Sequence, residues 1–183
     1  MNSLQFPIFM PINMESTVYF SEKQKFKNPL IWIPLIIVNC LMIYLVLKGI
    51  ANAAGSAEGI IIPAIVIGVV LLSTFLLYSI SLDTQIRKDG VYFRFYPLQQ
   101  KYQCIPRERI SQIYVRQYKP LREYGGWGYR VSITGNGKAL NISGNQGIQI
   151  IYDENKKLLL GTQKPAEADM ILKQWYADLL PKG

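Results

Sequence analysis

PLIWIPLIIVNCLMIYLVL, residues 29–47, and IIIPAIVIGVVLLSTFLLYSISL, residues 60–82, decide the architecture of this chain. They run for 19 and 23 residues without a charged side chain. At about 1.5 Å of rise per residue they reach roughly 28 and 34 Å as helices, against a bilayer hydrocarbon core of about 30 Å. Each is therefore predicted to span a membrane. Twelve residues, Lys48 to Gly59, separate them, too few for a domain, so residues 29–82 are expected to form an antiparallel helical hairpin.

The flanks predict an orientation. Lys23, Lys25 and Lys27 precede the first span and Arg87 and Lys88 follow the second, while the connecting loop carries only Lys48 and Glu58. By the positive-inside rule both termini face the cytoplasm of a bacterial inner membrane, with Trp32 and Tyr78 as belt residues at that interface. Asn39, Ser73, Thr74 and Gly68 within the spans suit helix packing and shared hydrogen bonds. No charge lies inside either span, which argues against a transport path. Residues 1–14 carry no cation and are broken by Pro7 and Pro11, so they do not read as a secretory signal, and Met14 is an alternative start.

The 183 residues carry a net charge of +8. Residues 1–83 are neutral on balance, so the whole excess lies after the second span. Two cysteines, Cys40 and Cys104, imply no disulfide framework. The absence of histidine removes the imidazole base, the Ser-His and Cys-His pairs and the common zinc sites. No enzyme activity, metal or cofactor is expected.

After the second span the hydrophobic period changes to two. Val91, Phe93 and Phe95 alternate with Tyr92, Arg94 and Tyr96 after an Asp89-Gly90 hairpin turn. Further strands are predicted over Lys101–Ile105, Ile110–Tyr118, Tyr129–Thr134, Lys138–Ile142, Ile148–Tyr152 and Lys157–Gly161, joined by turn-forming sequences. A helix from Pro165 to Leu180 carries an apolar stripe through Ala168, Ile171 or Leu172, Trp175 and Leu179. The expected architecture is an N-terminal cytoplasmic segment, residues 1–28, the hairpin, and a mainly-β domain, residues 83–183. That domain would be a seven- or eight-stranded antiparallel barrel or sandwich capped by the C-terminal helix.

Two spans followed by Tyr124-Gly125-Gly126-Trp127-Gly128, Ser143-Gly144-Asn145-Gln146-Gly147 and Gly161-Thr162-Gln163-Lys164-Pro165 resemble a family of small bacterial membrane proteins with a pleckstrin-homology-like domain. The resemblance covers about residues 20–180 and implies a fold, with Gly144, Gly147, Gly161, Thr162, Gln163 and Pro165 as motif positions, and no established activity. It does not extend to phosphoinositide binding. In eukaryotic members a long basic loop joins the first two strands, whereas here that connection reads as Asp89-Gly90 flanked by Arg87 and Lys88.

Two stretches stand out as candidate surfaces. Tyr124, Gly125, Gly126, Trp127 and Gly128 combine a backbone free to take positive φ with large flat side chains. They suit either a structural corner, Trp127 closing the domain beside Trp175, or a platform for a partner. Arg87, Lys88, Arg94, Arg116, Lys119, Arg122 and Arg130 form a candidate basic face, either simply solvated or drawn to anionic lipid. The expected partners are the lipid bilayer and a protein or a second copy. No nucleic-acid recognition module is present.

Overall fold

The computed structural model describes residues 17–26, 29–52, 58–132 and 135–177. Met14, residues 53–57 of the connecting loop, Thr134 and Leu180 lie outside the described residues. The chain divides into two compact units, Phe26–Ile80 and the strand-rich remainder.

The first unit is the helical pair α1, Pro29–Asn52, and α2, Glu58–Ser79. Within these, Trp32–Ile50 and Ile61–Ser79 are long and apolar enough to cross a membrane. Their side chains point outward: Ile37 is 62% exposed and Phe75 63%, a large contiguous apolar surface of the kind that marks an interaction with a membrane or another protein. Pro34 and Pro63 are the sixth residues of their helices, so each removes the hydrogen bond that an N–H there would give to the carbonyl four residues back. Asn39 Nδ2 donates to Thr74 Oγ1 at 3.0 Å, and Thr74 in turn donates to the Val70 carbonyl at 2.8 Å. This side-chain bond links the two helices. The Trp32 indole N–H donates to the Phe26 carbonyl at 2.7 Å, tying down the entry to α1.

The second unit contains two sheets. The first has the order β1-β2-β3-β4, built from β1, Val18–Lys25, β2, Ser81–Arg87, β3, Gly90–Tyr96, and β4, Gln103–Pro106. All three pairings are antiparallel. A 3-10 turn, Arg107–Arg109, then leads into β5, Ile110–Gln117. A short helix α3, Pro120–Tyr124, precedes β6, Gly128–Val131, β7, Lys138–Asn141, β8, Gln146–Tyr152, and β9, Lys156–Gly161. These strands form the second sheet in the order β5-β8-β9-β7-β6. The chain closes with α4, Pro165–Ala177.

The expected strands after residue 83 are present, and four features differ from expectation. Of the expected barrel or sandwich, the barrel is not formed: Pro106 ends β4 without a backbone donor and the 3-10 turn redirects the chain, and among the described residues no ladder joins the sheets. β7 and β9 pair in parallel, Leu140 opposite Leu160, in an otherwise antiparallel set. Most consequentially, no strand is expected before the first span, yet β1 pairs along all of β2, from Val18 opposite Arg87 to Lys25 opposite Ser81. The first connection in the sheet is thus the helical hairpin itself. The turn joining the second strand to the third is Lys88-Asp89, one residue earlier than the expected Asp89-Gly90, because Gly90 already pairs with Arg87 as the first residue of β3.

Leu82, Ile86, Val91, Phe93 and Phe95 from the first sheet and Leu140, Ile148, Ile150, Leu158 and Leu160 from the second are all buried. α4 contributes Ala168, Leu172 and Trp175, each at most 3% exposed, and touches β1, β5 and β8. Trp175 donates its indole N–H to the Arg87 carbonyl at 2.9 Å and lies beneath the Arg107 guanidinium, 4.4 Å from the ring centre.

Candidate functional site

The segment Tyr118–Gly128 folds over the outer face of the second sheet. Leu159 and Ala139 are register partners on β9 and β7, and both are fully buried beneath Tyr118 and Tyr124. The two tyrosine rings meet edge to face, 6.1 Å between centres, a favoured aromatic geometry. Burial pushes both phenols above their ordinary pKa. Asn141, with no exposure, donates to the Tyr118 hydroxyl at 2.9 Å and accepts from the Gly128 N–H at 2.8 Å.

Glycine is required here by conformation. Gly125 at φ 71° ends α3 and returns its N–H to the Leu121 carbonyl at 3.0 Å, while Gly126 adopts φ 125°, a region that L side chains reach only with strain. A Cβ would find open space at Gly125, so backbone geometry is the constraint there. The Trp127 indole donates to the Gly144 carbonyl at 2.9 Å, whereas Trp175 bonds the Arg87 carbonyl. The expected pairing of Trp127 with Trp175 is replaced by two separate anchors.

The three glycine-containing motifs converge. Besides the Trp127 bond, Tyr118 N–H reaches the Asn145 carbonyl at 2.9 Å, Thr162 N–H the Gln146 carbonyl at 2.9 Å, and Gln163 Nε2 the Ser143 hydroxyl at 2.9 Å. Gly147 and Gly161 are register partners. A Cβ on Gly161 would come within 2.9 Å of the Asn141 Cβ, so its bare backbone permits the close approach of β7.

β1, which the hydrophobic pattern of the sequence does not mark as a strand, completes this cluster. The buried Glu22 carboxylate accepts from the Thr162 hydroxyl at 2.6 Å and from the Gln163 N–H at 2.8 Å. Gln24, also buried, donates to the Gly161 carbonyl at 2.6 Å. Thr162 Oγ1 accepts from the Lys164 N–H at 3.0 Å, just before Pro165 starts α4. Thr162 is 3% exposed and its hydroxyl is engaged both as donor and as acceptor, so the geometry locks a junction and offers no access to a substrate.

The basic residues are divided between the sheets. Arg94 Nη2 meets the buried Asp83 at 2.5 Å, with Tyr102 stacked 4.7 Å from the guanidinium, and Arg87 lies over the Tyr92 ring at 4.7 Å. Lys88 is exposed at the β2–β3 turn. In the second sheet Arg116 bonds Glu123 at 2.8 Å and Gln149 at 3.0 Å. Arg130 donates to the Trp127 carbonyl at 3.0 Å, and Lys119 and Arg122 are exposed around α3.

Desolvation pushes the Glu123 carboxyl up, but the bonds from Arg116 and the Lys119 N–H outweigh it and hold it below the ordinary carboxylate range. A depressed folded pKa contributes stability above the unfolded value, about 4.3 for Glu, that is lost as pH falls through the folded value. Thermal unfolding from pH 7 to pH 3, monitored by near-UV circular dichroism, is therefore expected to fall more steeply on the acid side for the wild type than for Glu123→Gln. Parallel curves would remove the assignment.

A cleft lined by Phe93, Gln99, Gln103, Tyr129, Tyr152 and neighbouring residues offers about 20 Å³, room for a water molecule and far short of a small-molecule pocket. Among the described residues no cluster of Cys, Asp and Glu could hold a metal.

A family model described as "Family of unknown function (DUF6141)" matches residues 11–171. The chain belongs to this family. The DUF6141 match takes in both long helices, all nine strands among the described residues and the first half of α4, so the helical hairpin and the sheets are one family unit. No curated protein and no solved structure matches the chain.

Proposed function

We propose that this DUF6141 protein is a membrane-tethered, non-enzymatic interaction module with a pleckstrin-homology-like domain, held at the cytoplasmic face of a bacterial inner membrane. The observation that carries this reading is the placement of the hairpin within the β1–β2 connection. Lys25 and Ser81 are register partners, so the chain enters and leaves the hairpin at adjacent strand ends, as two spans returning to one face require. The lysines before the first span favour that face being cytoplasmic. Two packed sheets and a C-terminal helix support the pleckstrin-homology-like assignment, from which the parallel β7–β9 pair departs.

The partner is a protein, either another chain or a second copy, and the docking edge is β6. This strand ends the second sheet, and Arg130 and Val131 on it are exposed, Val131 by 61%. A free edge invites an extended segment to add to the sheet. A photo-crosslinking residue at position 131, in native membranes, is expected to give one discrete adduct that the same residue at position 88 does not. A mass of twice the chain would identify self-association. No adduct at 131, or the same adducts at both positions, would sink the proposal.

A further inference from the structure

We propose that the β3–β4 loop, Tyr96 to Tyr102, is a membrane-contact loop that seats Leu98 in the lipid interface; this rests on the reading that the hairpin spans a bilayer. Register places the loop. Lys25 pairs with Ser81 and Ser81 with Tyr96, so the loop projects from the end of the first sheet where the chain passes into and out of the hairpin.

The loop presents an apolar group outward. Leu98 is 69% exposed and Tyr96 40%. Its conformation is held from both stems: Gln99 N–H donates to the Phe95 carbonyl at 2.7 Å, and Phe95 N–H donates to Gln99 Oε1 at 3.1 Å. On the other side Tyr102 lies against Arg94, which is bonded to the buried Asp83. Leu98 thus sits at the tip of a clamped turn.

The surrounding chemistry fits a lipid surface. Lys101 is exposed in the loop, and Lys23 and Lys25 are exposed on β1 near the same end. A leucine for the acyl boundary, a tyrosine for the headgroup level and cations for anionic phosphates are the elements of interfacial attachment. The Arg87–Lys88 turn fits it poorly. Lys88 follows the far end of β2, and at about 3.4 Å per residue that strand places it roughly 24 Å from Ser81, beyond the Debye length of about 8 Å in physiological salt.

The test uses the full chain in nanodiscs of neutral and anionic phospholipid, with Cys40 and Cys104 replaced by alanine. Leu98→Cys, Lys88→Cys and Ile67→Cys would each carry a polarity-sensitive fluorophore, read for emission shift and for quenching by spin-labelled lipids. Position 98 is expected to shift to the blue and to be quenched by shallow labels, position 88 to behave as in water, and position 67 in α2 to be quenched by deep labels. A water-like signal at 98 with deep quenching at 67 would overturn the loop contact alone. Equal shallow quenching at 98 and 88 would overturn the assignment to this loop, and absence of quenching at 67 would overturn the spanning reading and the inference together.

Discussion

Replacing Glu22 with alanine is expected to destabilise the strand-rich unit by about 2–3 kcal/mol, because the buried Thr162 hydroxyl and the part-buried Gln163 N–H lose their carboxylate acceptor at once. The Thr162 hydroxyl and the Gln163 N–H both point at this carboxylate, and an alanine methyl can satisfy neither. The measurement is denaturant unfolding of the full chain in nanodiscs, followed by near-UV circular dichroism. Glu22→Gln, which keeps one acceptor, should recover part of the loss. Equal stability of Glu22→Ala and wild type would show that β1 is held by its ladder to β2 alone.

Trp175→Ala is expected to cost more, about 3–5 kcal/mol, the range for removing a large aromatic from a core. Trp175 is 1% exposed, bonds the Arg87 carbonyl and carries the Arg107 guanidinium on its face. Its removal leaves a cavity under α4 and strips Arg107 of its packing. Typical domains have only about 5–15 kcal/mol of stability, so partial unfolding at ambient temperature is the expected readout. Near-wild-type stability would mean that α4 is anchored chiefly through Thr162 and Glu22.

The helices were legible because a span in hydrocarbon must be apolar all round, and such a run needs no partner to be recognised. β2 and β3 were legible for a related reason: one inward face repeats Val91, Phe93 and Phe95 beside the Asp-Gly signal, although the turn itself falls one residue earlier, at Lys88-Asp89. β1 was not. From Phe20 onward its burial alternates regularly, with Phe20, Glu22 and Gln24 inward, but two of those three side chains are polar. A carboxylate and an amide read as a solvated strand or a linker until their partners are known, and those partners lie 137 to 141 residues away. The parallel β7–β9 pairing was hidden in the same way, since nothing in a short strand names its neighbour.

The candidate site divides along that line. The Tyr124–Gly128, Ser143–Gly147 and Gly161–Pro165 segments are conspicuous as local sequence, because positive φ and close approach leave glycine as the tolerated residue. That they meet one another, and that Glu22 binds the last of them, follows only from tertiary packing. By itself the sequence determined that two helices can cross a membrane and that a basic β structure follows, since both are properties of local composition and period. The tertiary structure decided that the hairpin is an insertion in the first strand connection, because polar groups can be buried only where distant partners satisfy their hydrogen bonds.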